Sequence, residues 1–162
     1  MKRFLGAVII FIMATLLHWI FVEIFSAFSI TVGVMLAFSL IMASLLSESG
    51  GYTFAFISGL FLDFFASSMF GGYALVFTVM LFIFYKIDDK IDFREPGPQL
   101  VITALLNIAS VLFYGILARV FTGAFVWQGI TSLLAGSLVT ALILPLLYLF
   151  ITRYFKGSQP LY

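Results

Sequence analysis

The chain predicts an all-α fold, a polytopic bundle of six transmembrane helices in one membrane domain, and three observations predict it. Of 162 residues, 64% are hydrophobic and 9% charged, with a mean hydropathy of +1.23; a soluble domain carries about 25% charged residues. The apolar residues fall into six runs, most near the roughly 20 residues that cross a bilayer as a helix. The basic residues are also distributed unevenly. Lys2 and Arg3, then Lys86, Lys90 and Arg94, then Arg153 and Lys156 make seven of the eight Lys and Arg. With six spans all seven lie on one side, so both termini are expected in the cytoplasm.

The spans follow in order. Residues 4–22 form the first, with His18 and Trp19 near its far end and Glu23 closing it. A cleaved signal peptide competes with this reading, because Ala27-Phe28-Ser29 loosely resembles a small-x-small site. The run exceeds the usual apolar core of about 7–15 residues, which favours a retained span. Residues 30–46 form the second span, with Gly33 and Ala37 four apart and Ser39, Ala43 and Ser47 likewise. Ser47-Glu48-Ser49-Gly50-Gly51 is predicted as a turn. Residues 52–68 and 73–85 form the third and fourth spans, joined by Met69-Phe70-Gly71-Gly72. The polar stretch 86–99 follows, and Pro96-Gly97-Pro98 marks its end. Residues 100–118 and 130–152 form the last two spans. The sixth carries Ser132, Gly136 and Thr140 four apart, and Pro145, which is expected to kink it.

The third span holds the sharpest residue. Asp63 lies eleven residues past Tyr52, about 17 Å along a helix, so it is expected well inside the membrane. Ala55 and Gly59 precede it at intervals of four, which puts all three on one helix face. Small side chains at this spacing let a second helix approach closely. A carboxyl group on such a face is expected to meet protein rather than lipid, since unpaired charge in hydrocarbon is costly. Asn107, Ser110, Tyr73 or another interhelical hydroxyl are its candidate partners. A proton or cation site, or a contact for a partner helix, are the functional readings beside that structural one. Glu23 and Arg119 both fall at the outer interface, where a charge pair between them, or snorkelling by Arg119, is expected.

Several chemistries lack their residues. Without Cys there are no disulfides, thiolate metal sites or Cys nucleophiles. No metal-ligand cluster, phosphate loop or nucleophile motif occurs, and the single His18 has no suitable serine beside it. No basic run supports nucleic-acid binding. The sequence predicts no enzyme, no cofactor and no metal.

The segment Gly59-Leu60-Phe61-Leu62-Asp63, with Gly71 eight residues on and then Ala74-Leu75, resembles the central signature of the rod shape-determining protein MreD family. The short basic start, tight first hairpin, charged loop after span four and Pro145-containing last span are similar too. This resemblance implies a non-enzymatic scaffold of the bacterial rod, or elongation, complex in the inner membrane. It implies binding to MreC, a bitopic protein with a large outer domain. Through it come indirect links to actin-like MreB filaments and peptidoglycan synthases, and so to cell shape. Beyond membrane lipid, a second copy of the chain is a further candidate partner. Carried onto this chain, Gly59 would permit close packing, Asp63 would anchor a polar contact, and Gly71 would turn the chain. In size and span count such proteins also resemble the substrate-binding subunits of energy-coupling-factor vitamin transporters. That implies an alternative, a small-solute binding or transport subunit. The first span argues against it, with only Gly6, Ala7 and Ala14 as small residues.

Overall fold

The computed structural model describes residues 2–28, 30–65, 69–123, 125 and 129–155. The predicted end of the third span at 66–68, the connection around Trp127, Ser29 of the small-x-small site, and Lys156 with the tail lie outside the described residues. So do the side chains of Lys2 and Arg3. The chain is all-helical: α1 (Lys2–Ser26), α2 (Val34–Leu45), α3 (Glu48–Asp63), α4 (Gly72–Asp88), α5 (Pro96–Thr122) and α6 (Ile130–Phe155). Among the described residues, three segments are long and apolar enough to cross a membrane: Gly6–Ser26, Pro96–Thr122 and Ile130–Arg153. Their buried shares are 11%, 39% and 33%, so α1 is the least enclosed of the three.

α1 and α6 run a few residues past their expected ends. α5 exceeds 100–118 by four residues at each end, so that Pro96-Gly97-Pro98 belongs to the helix and not to the loop. The other three helices depart from the expected spans as well. α2 has 12 residues, about 18 Å of rise, against a predicted run of 30–46. Ile30 to Gly33 are not helical. Yet the Gly33 N–H donates to Thr140 Oγ1 at 2.9 Å, and Thr140 lies ten residues into α6. The second helix therefore starts inside the bundle. Gly136, one turn earlier on α6, admits the incoming segment, since a Cβ there would run into the Thr31 carbonyl. Non-helical backbone at such depth requires cover by protein or a cavity, and here Thr140 supplies a hydrogen bond. Gly33 with Gly136 and Thr140 thus serves one crossing.

α3 begins four residues before its predicted start. The stretch 47–51 is not a turn: Glu48 to Gly51 form the first turn of the helix. Glu48 there complements the positive end of the helix dipole. Gly51 is buried against Ala43 of α2 and the Tyr85 hydroxyl of α4. The helix also ends early, so Asp63 is its last residue rather than a mid-span one. α4 runs on to Asp88, three residues past the predicted limit. Pro96 opens α5 at the first helical position, where its missing N–H costs nothing. Pro145 lies within α6, which is helical on both sides of it.

The core centres on α2, whose residues from Val34 to Ala43 are all buried. α3 packs most extensively against α4, and α5 against α6. α1 lies on the outside of α2 and touches α3 through rings, Phe11 meeting Phe54 and Phe61 edge-on, while Trp19 meets Phe65 just past the end of α3. Lipid-type side chains cover the outward faces, among them Leu134, Leu138, Leu142 and Leu146 on α6. Between α4 and α5, Phe93 is buried and stands edge-on to Phe84 at 4.8 Å and to Tyr148 at 6.5 Å. This pins the polar loop to the ends of α4 and α6.

Candidate functional site

At the opposite end of the bundle from that loop, α3 and α4 close on each other through backbone. Gly59 leaves room for α4 to come within contact: a Cβ there would lie 2.5 Å from the Ala74 nitrogen and 2.6 Å from the Tyr73 carbonyl carbon. One turn on, Asp63 is 2% exposed. Its Oδ1 accepts from the Tyr73 N–H at 2.8 Å and its Oδ2 from the Ala74 N–H at 3.1 Å. These are first-turn amides of α4, which have no partner within their own helix. A carboxylate at a helix N-terminus also meets the positive end of its dipole. Asp63 is thus an N-cap supplied from another helix. Gly71 makes the return possible, with φ of 87° in the left-handed region, where glycine carries no Cβ penalty. Ala55 lies fully buried on the same face.

The expected polar partners of Asp63 are therefore corrected in part. Tyr73 is a partner, through its backbone amide. Asn107 donates its Nδ2 to Ser137 Oγ at 3.0 Å, and Ser110 Oγ donates to the Asn107 carbonyl at 2.8 Å. Both side chains belong to the contact of α5 with α6 and with its own backbone. The two amides of α4 were nearer in chain and already lacked acceptors, so they hold the carboxylate. The outer charge pair is corrected too. The Arg119 guanidinium donates to the Gly123 carbonyl, satisfying the end of its own helix, where Gly123 has φ of 75°. Glu23 is exposed, and among the described residues it is not paired with Arg119.

Sequence reasoning missed the polar seam on α5. Gln99, Thr103, Asn107, Ser110 and Tyr114 are all buried, at intervals of four, four, three and four. They span fifteen residues, about 22 Å. Their spacing was the available signal, but only Asn107 and Ser110 stood out in an apolar run. Gln99 Nε2 and Thr103 Oγ1 have no hydrogen-bond partner among the described residues, nor do Ser58 Oγ on α3 and Ser132 Oγ on α6.

This seam ends at a cavity of about 270 Å³. Its walls come from five helices: His18 and Val22 of α1, the non-helical Thr31 to Gly33 with the first turn of α2, Leu62 at the end of α3, Tyr73, Val76 and Phe77 of α4, and Asn107 to Tyr114 of α5. The Tyr73 and Tyr114 rings are stacked with centroids 4.2 Å apart. The His18 Nδ1 is buried with no partner among the described residues. The residue before α2 is Gly33, which has no side chain to cap the helix, and the first amides of a helix lack an acceptor within it. Among the described residues, no Asp, Glu, Lys or Arg lines the cavity. Among the described residues no group of His, Asp and Glu could hold a metal ion.

Scans against protein-family models, curated proteins and solved structures find no match to this chain.

Proposed function

We propose that the chain is a non-enzymatic membrane scaffold of the bacterial rod complex, held in the inner membrane and bound to an MreC-like bitopic protein. The observation that carries this reading is the Asp63 cap. The three residues carried over by the resemblance, Gly59, Asp63 and Gly71, all lie where α3 joins α4. With both carboxylate oxygens engaged by amides, Asp63 acts as a structural group rather than as a proton or cation carrier. That favours a scaffold over a transporter driven through Asp63. In this reading the loop around Phe93 and the end of α6 face the cytoplasm, where Lys86, Lys90, Arg94 and Arg153 gather.

The test is affinity purification of the full chain from native bacterial membranes, with identification of what accompanies it. A bitopic protein with a large outer domain is the expected companion. Recovery of ATPase subunits instead would replace this reading by the energy-coupled one. A solute-binding subunit is the second reading, and the observation in its favour is the cavity beside α1, not Asp63.

A further inference from the structure

The cavity at the start of α2 has the composition of a ligand site. Small-molecule sites are mostly apolar, with a few polar groups that fix orientation. Here Val22, Leu36, Val76 and Phe77 supply apolar wall, and the polar groups come from two helices: His18 of α1, whose Nδ1 has no partner among the described residues, and Asn107 and Ser110 of α5, whose donors are already engaged. In membrane bundles, helices that stop or start at depth mark the places where polar backbone is available to a solute. α2 is such a helix, because Gly33 is hydrogen-bonded to mid-α6 and no side chain caps its first turn.

The geometry points to a binding site for a neutral, planar, largely apolar small molecule that carries a carbonyl acceptor next to an N–H donor. Each property follows from the walls. The volume of about 270 Å³ is somewhat under twice the roughly 150 Å³ of a cavity that admits benzene, and so suits about ten to twelve non-hydrogen atoms. A neutral ligand follows because no charged side chain among the described residues lines the cavity, and an unpaired ion there would lose its hydration without compensation. A flat ring suits a wall made by the stacked Tyr73 and Tyr114 with Phe77 beside them. The His18 Nδ1, unpartnered when neutral, accepts a hydrogen from the ligand. The uncapped amides of α2 donate to its carbonyl. α1 is the least enclosed wall, with 11% of its span buried, and is the side on which the ligand enters. The site deepens the solute-binding reading by naming the ligand class, and it stands whether or not the chain also serves as a scaffold.

The experiment uses the full chain in phosphatidylethanolamine–phosphatidylglycerol nanodiscs, with protein-free nanodiscs as the partition control. The probe is 2-quinolinone, a planar lactam. Naphthalene lacks the polar pair, quinoline-2-carboxylate carries a charge, and decanol stands for a lipid chain. The expected result is saturable 2-quinolinone binding that Val111→Phe abolishes by filling the cavity. His18→Leu should weaken it about fivefold, the effect of one lost hydrogen bond. His18 is half-exposed on the outer helix, so this variant reports even if the phenylalanine variant does not fold. Equal displacement by quinoline-2-carboxylate or decanol, in a form that Val111→Phe abolishes, overturns the ligand class and leaves solute binding standing. No saturable binding of any probe by the folded wild-type chain overturns both.

Discussion

Asp63 and Tyr73 are joined across the α3–α4 turn by a 2.8 Å hydrogen bond from the Tyr73 backbone N–H to the Asp63 carboxylate. Ala74 adds the second bond at 3.1 Å. A cap made by the last residue of the preceding helix ties the end of one element to the beginning of the next. It also explains how a carboxylate 2% exposed is tolerated without a cation.

The cap predicts a graded response at position 63. Asp63→Asn keeps one acceptor oxygen and loses the charge, so it should cost about 1–2 kcal/mol, in the range of lost N-caps. Asp63→Leu leaves two buried amides without acceptors, at about 1–3 kcal/mol each, and should cost more. Thermal unfolding in detergent orders the two variants. A leucine variant as stable as the wild type would remove the structural role assigned to Asp63.

Glycine positions should differ sharply. Gly59→Ala places a methyl group against the backbone of Tyr73 and Ala74, which cannot swing aside. It should cost about 3 kcal/mol or more, at the upper end of overpacking effects. Gly51→Ala meets mainly the Tyr85 hydroxyl, the tip of a side chain that can turn, and should cost less. Gly97→Ala meets nothing within 4 Å and should be neutral or slightly stabilising. Expression and melting temperature of the three in parallel check that order.

Gly71 tests conformation apart from packing, since a Cβ there would meet nothing within 4 Å while φ is 87°. Gly71→Asn should be nearly silent. Gly71→Val should cost about 1–2 kcal/mol, the penalty of a left-handed backbone for a branched residue. Equal melting temperatures for the two variants would contradict this.

Phe93 should decide whether the polar loop is ordered. It is 1% exposed between Phe84 and Tyr148, and Phe93→Ala should cost about 3–5 kcal/mol. If the anchor acts as described, limited proteolysis of the variant should cut between residues 88 and 95 at protease levels that spare the wild type.

Asp88 should make stability depend weakly on pH. Its carboxyl is pushed above its ordinary value of 3.8, chiefly by burial at the end of α4 and against a lowering hydrogen bond from the Phe93 backbone. The folded state therefore holds its proton to higher pH than the unfolded chain. Its stability contribution is most favourable below pH 3.8 and falls as pH rises through the raised value. Asp88→Asn should be slightly more stable than wild type at neutral pH, with the gap closing toward pH 4. Its Oδ1 still accepts from Phe93. Melting temperatures of both proteins between pH 4 and 7 check the sign.

The amino-acid sequence by itself determined the all-helical class of the molecule, the helices of its described residues, and the face of α3 that carries Ala55, Gly59 and Asp63, because hydrophobic length and helical spacing are local properties. It also marked Gly33, Gly136 and Thr140 as closely spaced small or polar residues. Only the tertiary structure decided what those residues meet. Asp63 caps α4 instead of reaching Asn107, since two unsatisfied amides lie just across the turn. α2 starts at the depth of Thr140, since a side chain of another helix and two glycines make room and hydrogen bonds for non-helical backbone. The polar seam of α5 and the cavity at its end arise where five helices meet, and a gap between separate elements has no signature within any one of them.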